Sequence, residues 1–281
     1  MMKTAQPPRP SQPIQMIALD LDGSLLRSDK TVGERTIKAL QAAAAKGVEI
    51  VLASGRMTAA MEKPATIIGI DVSMVAFNGA AVCGRAATKR ERYFHQPLDA
   101  GIASELLDIA HQRGYQCNFY QNDVILSEDG PNLRPYIEIY RGRTGSPFRF
   151  VKNLRDFAAS APTKLLYVVD AGKRNAISEE LRPRFGSRTA MMHTDPEYLE
   201  FLDPQVNKGT GLNKLGEVLG IPMTQAMAIG DGENDIPMLE VAGIGVAVAN
   251  AGKLCKAAAN AFTDADNDHD AVAEALEKWV L

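Results

Sequence analysis

Ile14-Gln-Met-Ile-Ala-Leu-Asp20-Leu-Asp22-Gly-Ser24 begins as a short apolar run and breaks abruptly into an acidic turn. A run of that length with a polar end predicts a buried strand carrying functional groups at its C-terminal tip. Thr31-Val-Gly-Glu34 then has the form of a capping box opening an Ala-rich helix that stops at Gly47. Val48–Ala53 (VEIVLA) is a second buried strand, ending in Ser54-Gly55-Arg56. A helical stretch follows, with Pro64 expected to bend or end part of it. Ser73–Phe77 is a third strand, turning at Asn78-Gly79. Strand, helix, strand, helix, strand is the pattern of a parallel sheet with right-handed crossovers.

The same alternation returns near the C-terminus. Lys208–Leu219 is expected as a helix, Ala226–Gly230 as a strand, Glu233–Ala242 as a short helix, Ile244–Val248 as a strand and Ala271–Val280 as an amphipathic helix. Between these two stretches, over residues 84–199, apolar runs shorten and arginines accumulate. That segment holds 17 Lys and Arg against 14 Asp and Glu, although the whole chain has a net charge of −3. The expectation is a core made of residues 14–83 and 200–281, an inserted domain at 84–199, and a tail at 1–13. The asymmetry of charge fits an anionic substrate held under the insert, or an ordinary surface.

With 281 residues, 46% hydrophobic and 23% charged, the chain has the composition of a soluble globular protein of two domains. Its weak acidity gives no reason to expect nucleic acid or an anionic membrane as partner. Cys83, Cys117 and Cys255 are odd in number and far apart, with no CxxC pair, so neither a zinc knuckle nor a disulfide framework is supported. A reduced, cytoplasmic setting is the simplest expectation. The first 13 residues lack the apolar segment of a secretory signal, and no run reaches the ~18 apolar residues of a membrane helix.

Four polar clusters fall at expected strand ends or helix starts, the rim where open α/β sheets bind ligands. In Asp20-Leu-Asp22-Gly-Ser24 the two carboxylates can face one pocket if the chain bends after the first. Asp20 then suits a nucleophile and Asp22 an acid and base, although the same pattern also describes a polar turn. Ser54-Gly-Arg56 offers a hydroxyl and backbone N–H groups to a phosphate. Lys208 can balance a phosphate and an aspartate, or be a solvated loop lysine. Gly230-Asp231-Gly-Glu-Asn234-Asp235 gathers carboxylates that call for a cation. Magnesium suits Asp20 with Asp231, while an acidic first helical turn accounts for Glu233.

Taken together and in this order, the four clusters resemble the four motifs of the haloacid-dehalogenase-like (HAD) superfamily, and among its members the Cof-type hydrolases. The resemblance spans about residues 14–281. Gly230–Leu239 (GDGENDIPML) is its most specific part, and Phe77-Asn78-Gly79-Ala80 and Val206-Asn207-Lys208-Gly209 also match.

The resemblance implies a doubly wound, mainly parallel Rossmann-like sheet with an inserted α+β cap domain between the second and third motifs. It implies that Asp20 is the nucleophile that becomes a phosphoaspartate and a magnesium ligand. Asp22 would be acid/base and lend its backbone carbonyl to the metal. Leu21, Ser54, Gly55, Lys208 and Asn234 would hold the phosphoryl group, Asp231 would ligate Mg2+, and Asp235 would support it directly or from behind. Because ester cleavage needs an acid two residues after the nucleophile, Asp22 implies phosphoryl transfer. The expected activity is a phosphatase acting on a small phosphorylated metabolite, such as a sugar phosphate or phosphorylated cofactor. A phosphosugar mutase using the same aspartate and a non-catalytic binding module are the alternatives.

Three positions depart from the family pattern: Ser24 in place of threonine, Ala249 in place of glycine in Val248-Ala249-Asn250-Ala251, and His269-Asp270-Ala271-Val272 without the glycine before valine. In the insert, Arg141 and Arg143, with Arg134 and Lys164, are candidates for a second anionic group of the substrate. Asp264–Asp270 fails as a calcium loop because His269 and Ala275 occupy the positions that need Gly and Glu. No phosphate-binding GxxxxGK[ST] loop or dinucleotide fingerprint is present.

Overall fold

The computed structural model describes residues 12–144 and 146–281. The chain opens with β1 (Met16–Asp20), α1 (Glu34–Ala45), β2 (Glu49–Ala53), α2 (Thr58–Ile68), β3 (Ser73–Ala76), β4 (Ala81–Cys83) and β5 (Arg92–His95). It continues through α3 (Ala100–Arg113), β6 (Gln116–Gln121), β7 (Val124–Glu128), α4 (Arg134–Thr144), β8 (Phe148–Val151), β9 (Lys164–Val168), α5 (Arg174–Phe185), β10 (Ala190–Met192) and β11 (Tyr198–Leu202). The last stretch is α6 (Lys208–Leu219), β12 (Ala226–Gly230), α7 (Ile236–Val241), β13 (Ile244–Ala247), α8 (Lys253–Ala258), β14 (Ala261–Phe262) and α9 (Ala271–Trp279).

Two compact units result, one from the residues up to Phe94 together with Asn207–Leu281, the other from His95–Val206. These breaks fall later than the expected 84 and 199. The first moves because β5 extends the edge of the first unit's sheet beyond β4, and the second because β11 belongs to the second unit's sheet. Of the expected tail at 1–13, residues 1–11 lie outside the described residues, whereas the Gln12 side-chain oxygen accepts from Gln225 at 2.6 Å.

The first unit is built on an eight-stranded sheet in the order β14-β13-β12-β1-β2-β3-β4-β5. Strands β14 to β3 are parallel and β4 turns back antiparallel on β3. The chain leaves β1 toward β2 and returns on its other side as β12, so β1 sits at the point where strand order reverses. Every residue of β1, β2 and β12 is buried, which explains apolar runs broken before their tips only by Glu49 at the start of β2. Register places Asp20 beside Ala53 of β2, and Leu19 beside Ile229 of β12. The tip of β1 is therefore flanked by Ser54 and by Gly230-Asp231.

Two local expectations are corrected. The Thr31 hydroxyl does not cap α1. It donates to Asp29 Oδ1 at 2.6 Å, and the helix starts at Glu34 behind Gly33 without a side-chain cap. Pro64 does not end α2, which runs through it to Ile68.

The second unit holds a six-stranded sheet in the order β10-β11-β9-β6-β7-β8, antiparallel except for β7 with β8. Alternate residues Cys117, Phe119, Leu165, Tyr167, Leu199 and Phe201 join Leu106 of α3 and Leu181 and Phe185 of α5 in one apolar cluster. Tyr115 packs against that cluster. The intervening residues Gln116, Asn118, Tyr120, Lys164 and Glu200 are buried and polar. Lys164 Nζ lies 3.1 Å from Glu200 and 4.7 Å from the centre of the Tyr120 ring, and the Tyr120 hydroxyl meets that of Tyr140 on α4. A sheet that buries polar groups on one face has the interrupted apolar texture seen in residues 84–199.

Candidate active site

Asp20 ends β1 with only 6% of its surface exposed, and beside it Lys208 opens α6 fully buried. Lys208 Nζ donates to Asp20 Oδ1 at 2.5 Å and to Asp235 Oδ1 at 2.6 Å. The buried ammonium thus joins the first and fourth sequence clusters, which excludes a solvated loop lysine. Asn207 caps α6 by accepting from Thr210 N–H, and Thr210 Oγ1 accepts from Asn207 N–H, which fixes where Lys208 leaves the helix. Gly211, one turn on, allows this helix to approach the core closely: a Cβ there would lie 2.6 Å from Val75 Cγ1 and 2.8 Å from Gly79 Cα.

The Asp235 carboxylate is engaged on both oxygens. Oδ1 accepts from Lys208, while Oδ2 accepts from the backbone N–H groups of Asp231 at 3.0 Å and Gly232 at 2.9 Å. It closes the turn that presents Asp231. Ser24 Oγ donates to Asp231 Oδ1 at 3.1 Å, so the turn after β1 and the turn after β12 hold one another. Gly23 between them has φ +87°, and a Cβ on it would sit 2.5 Å from Asp231 Oδ2.

One ligand atom from each of Asp20, Asp231 and Asp235 falls within 4.8 Å of the others. Three carboxylates around one ammonium leave an excess of negative charge in a buried place. Burial pushes the Asp20 carboxyl well above the usual carboxylate range, with Lys208 opposing and Asp235 adding to the rise. Burial, then the Asp235 charge, also raises Asp231. Lys208 is held charged although burial opposes it, because Asp20 and Asp235 together outweigh that penalty. A hard divalent cation bound by oxygen would supply the missing charge, so this donor set fits a metal ion.

Ser54 is buried at the tip of β2, and its Oγ accepts from Arg56 N–H at 3.2 Å. Gly55 follows at the tip of the same strand. Phe77-Asn78-Gly79 forms a turn with φ of +50°, +53° and +103°, and Asn78 Oδ1 accepts from Asn234 Nδ2 at 3.3 Å. Asn234 and the Ser54 loop are therefore connected through Asn78, whose N–H donates to the Ser54 carbonyl. Leu21 is fully buried, with its carbonyl accepting from Leu26 N–H.

Asp22 is not gathered into the carboxylate cluster. Its side chain pairs with Arg56 and Lys30. Burial opposes its ionisation, but the Arg56 hydrogen bond and charge, followed by those of Lys30, win and hold its carboxyl below the usual range. Sequence reasoning gave no role to Arg56 or Asn78, although each sits inside a quoted motif. It also missed Asn250, whose amide donates to Gly23 O at 2.8 Å and accepts from Asn267 N–H at 3.1 Å, tying three loops of the rim together.

The insert arginines sit apart from this centre in sequence and have partners within their own unit. Arg143 lies 2.5 Å from Glu197 and 3.4 Å from Asp195, and over the Tyr198 ring. Arg141 makes a single longer ion pair, 3.4 Å to Glu138. Arg134 pairs with Asp129 at 2.9 Å.

The sequence profile of the haloacid dehalogenase-like hydrolases matches residues 17–276, nearly the whole chain. The chain belongs to the haloacid dehalogenase-like hydrolases. The hydrolase is 29% identical over 269 residues to a 5-amino-6-(5-phospho-D-ribitylamino)uracil phosphatase of Bacillus subtilis, covering 95% of this chain and 96% of the relative. It is 29% identical over 236 residues to an HMP-PP phosphatase of Cronobacter sakazakii, covering 83% and 84% of the two chains. Among solved structures, a haloacid dehalogenase-like hydrolase from Bacteroides thetaiotaomicron superposes with a TM-score of 0.84 at 29% identity, over 94% of this chain and 99% of that one. Among the described residues no helix is long and apolar enough to cross a membrane.

Proposed function

We propose that this hydrolase is a magnesium-dependent phosphatase that cleaves a small phosphorylated metabolite through a phosphoaspartate on Asp20. The observation that carries the reading is the buried set Asp20, Asp231 and Asp235 around Lys208 at the reversal point of the sheet. The names of the two relatives, both phosphatases of small phosphorylated metabolites, support the substrate class.

Asp20 and Asp231, with the backbone carbonyl of Asp22, would hold the ion, and Asp235 would support them from behind. When bound, magnesium offsets the repulsion between carboxylate and phosphate and stabilises charge on the phosphoryl oxygens. An Asp20 oxygen attacks phosphorus as the bond from phosphorus to the leaving oxygen breaks, and Asp22, entering this step protonated by the water consumed in the previous turnover, gives that oxygen its proton. Asp22, now a carboxylate, takes a proton from water, the water oxygen attacks phosphorus, and the bond to Asp20 breaks to release inorganic phosphate. Lys208, Ser54, the Leu21 and Gly55 backbone and Asn234 hold the phosphoryl oxygens. Lys208 also opposes the rise that burial imposes on the Asp20 carboxyl.

The second unit is the proposed cap that selects the leaving group. Of its arginines, Arg141 is the better candidate for a substrate contact, because Arg143 already neutralises Asp195 and Glu197. Phosphate release from a broad panel of phosphate esters, with magnesium or EDTA and with Asp20→Asn in parallel, tests the reading. Release that needs both magnesium and Asp20 is expected. Equal release by Asp20→Asn sinks the phosphoaspartate route.

A further inference from the structure

Asp22 has to give a proton in one half of the proposed reaction and take one in the other, and its carboxylate is firmly gripped. Arg56 Nε donates to Oδ2 at 2.8 Å and Nη2 to Oδ1 at 2.6 Å, a two-pronged pairing of guanidinium with carboxylate. Lys30 Nζ adds a third bond to Oδ1 at 2.9 Å. The two cations are unequal partners. The Lys30 side chain is 65% exposed and the Arg56 side chain 33%. Arg56 is also anchored by its own backbone at the other end of the site, where its N–H donates to Ser54 Oγ and its carbonyl accepts from Phe77 N–H.

We propose that Arg56 is a positioning residue for Asp22: its guanidinium aims the Asp22 carboxylate from a backbone registered to the Ser54 phosphate seat. This inference rests on the phosphatase reading above. A planar fork fixes the plane of the carboxylate it holds, whereas a lysine ammonium supplies charge without direction. Direction matters because proton transfer requires the acid within hydrogen-bond reach of the departing oxygen. Arg56 links the group that moves the proton to the loop that seats the phosphoryl group, so both keep one frame of reference.

The leaving group discriminates this role from a structural one. An alkoxide must be protonated as it departs, whereas p-nitrophenolate leaves without a proton. In Arg56→Ala, kcat/KM for an alkyl phosphate is expected to fall about 10- to 100-fold, part of the ~100- to 10,000-fold a general acid supplies. The same variant should lose less than about threefold on p-nitrophenyl phosphate. Arg56→Lys, which keeps the charge but not the fork, should recover only part of the alkyl activity. Lys30→Ala should change either ester at most about threefold, as expected for an exposed pair. Asp22→Asn gives the reference pattern and should split the two esters in the same direction as Arg56→Ala. Equal loss on both esters by Arg56→Ala or by Arg56→Lys marks a structural role and overturns the proposal. No loss on either ester, or a gain on the alkyl ester, overturns it as well. Wild-type protein that releases phosphate from neither ester nor from any ester of the broad panel refutes the phosphatase reading and this inference with it, an outcome distinct from equal loss in an active enzyme.

Discussion

Replacing Lys208 by methionine removes the ammonium from between Asp20 and Asp235 while keeping a side chain of similar length. The two ion pairs that disappear are 2.5 and 2.6 Å long and fully buried. Breaking a buried ion pair on one side costs about 3–5 kcal/mol when the partner stays charged. The carboxylates have another way to respond, because one extra proton restores the net charge the site had with lysine. Holding that proton costs about 1.36 kcal/mol for each pH unit above the ordinary aspartate value near ~3.9. The variant should therefore be destabilised by about 1.5 kcal/mol at pH 5 and about 4 kcal/mol at pH 7, where it meets the limit set by leaving the carboxylates ionised. The sign follows from linkage: a carboxyl whose folded pKa is raised lends stability below its unfolded pKa and loses it as pH rises through the folded pKa. Asp20 and Asp231 are already raised in the wild type, and Lys208 is a lowering influence on both. Urea unfolding in EDTA, followed by Trp279 fluorescence, reads the first unit, because the chain has one tryptophan and it lies in α9. A cost below about 1 kcal/mol at pH 7, or an equal cost at both pH values, refutes the reasoning.

Three further outcomes follow from the same structure. Adding magnesium to the metal-free protein should raise its thermal midpoint more at pH 8 than at pH 5, since protons on the raised Asp20 and Asp231 compete with the cation; a shift independent of pH contradicts this. Gly23→Ala would place a Cβ 2.5 Å from Asp231 Oδ2 at φ +87°. It should weaken magnesium binding, measured by titration calorimetry, by about tenfold or more, and unchanged affinity means the turn is not shaped for Asp231. In the second unit, Lys164→Met leaves the buried Glu200 without its ammonium and should cost about 3–5 kcal/mol. The double variant Lys164→Met/Glu200→Gln should recover most of that loss in denaturant titration, and additive costs would exclude a coupled pair.

The strands around the site were legible because β1, β2 and β12 are buried on both faces, so apart from Glu49 at the start of β2 nothing interrupts their apolar runs until the polar tip. Helix α6 begins at Lys208 and ends at Leu219 as expected, since Asn207 and Gly220 mark its ends by caps that depend only on neighbouring residues. Thr31 misled for a local reason too: its hydroxyl had a competing partner two residues back in Asp29. The inserted unit was legible as a change of texture but not as a boundary. Strand β5 joins the first unit's sheet at its edge beside β4, and edge pairing of that kind leaves no periodicity in the strand itself.

Of the side-chain partnerships across the rim, that of Lys208 with an aspartate was legible and that of Asp22 with Arg56 was not. Sequence order keeps Asp20 and Asp22 two residues apart and puts Lys208 far away, yet in space Lys208 is the neighbour of Asp20 and Asp22 faces Arg56. A bend immediately after β1 produces this exchange. The Asp20 carbonyl accepts from Leu25 N–H and that of Leu21 from Leu26 N–H, so the chain coils at once and sends successive side chains in different directions. Two acids in a DxD pattern therefore acquire opposite electrostatic environments. Asp20 is buried among carboxylates and pushed up, while Asp22 is paired with two cations and pulled down. A nucleophile needs its charge restored by added cations, and a proton carrier needs a grip that can orient it. In the proposed reaction, a single turn separates those two environments, and the two neighbouring carboxylates serve different steps.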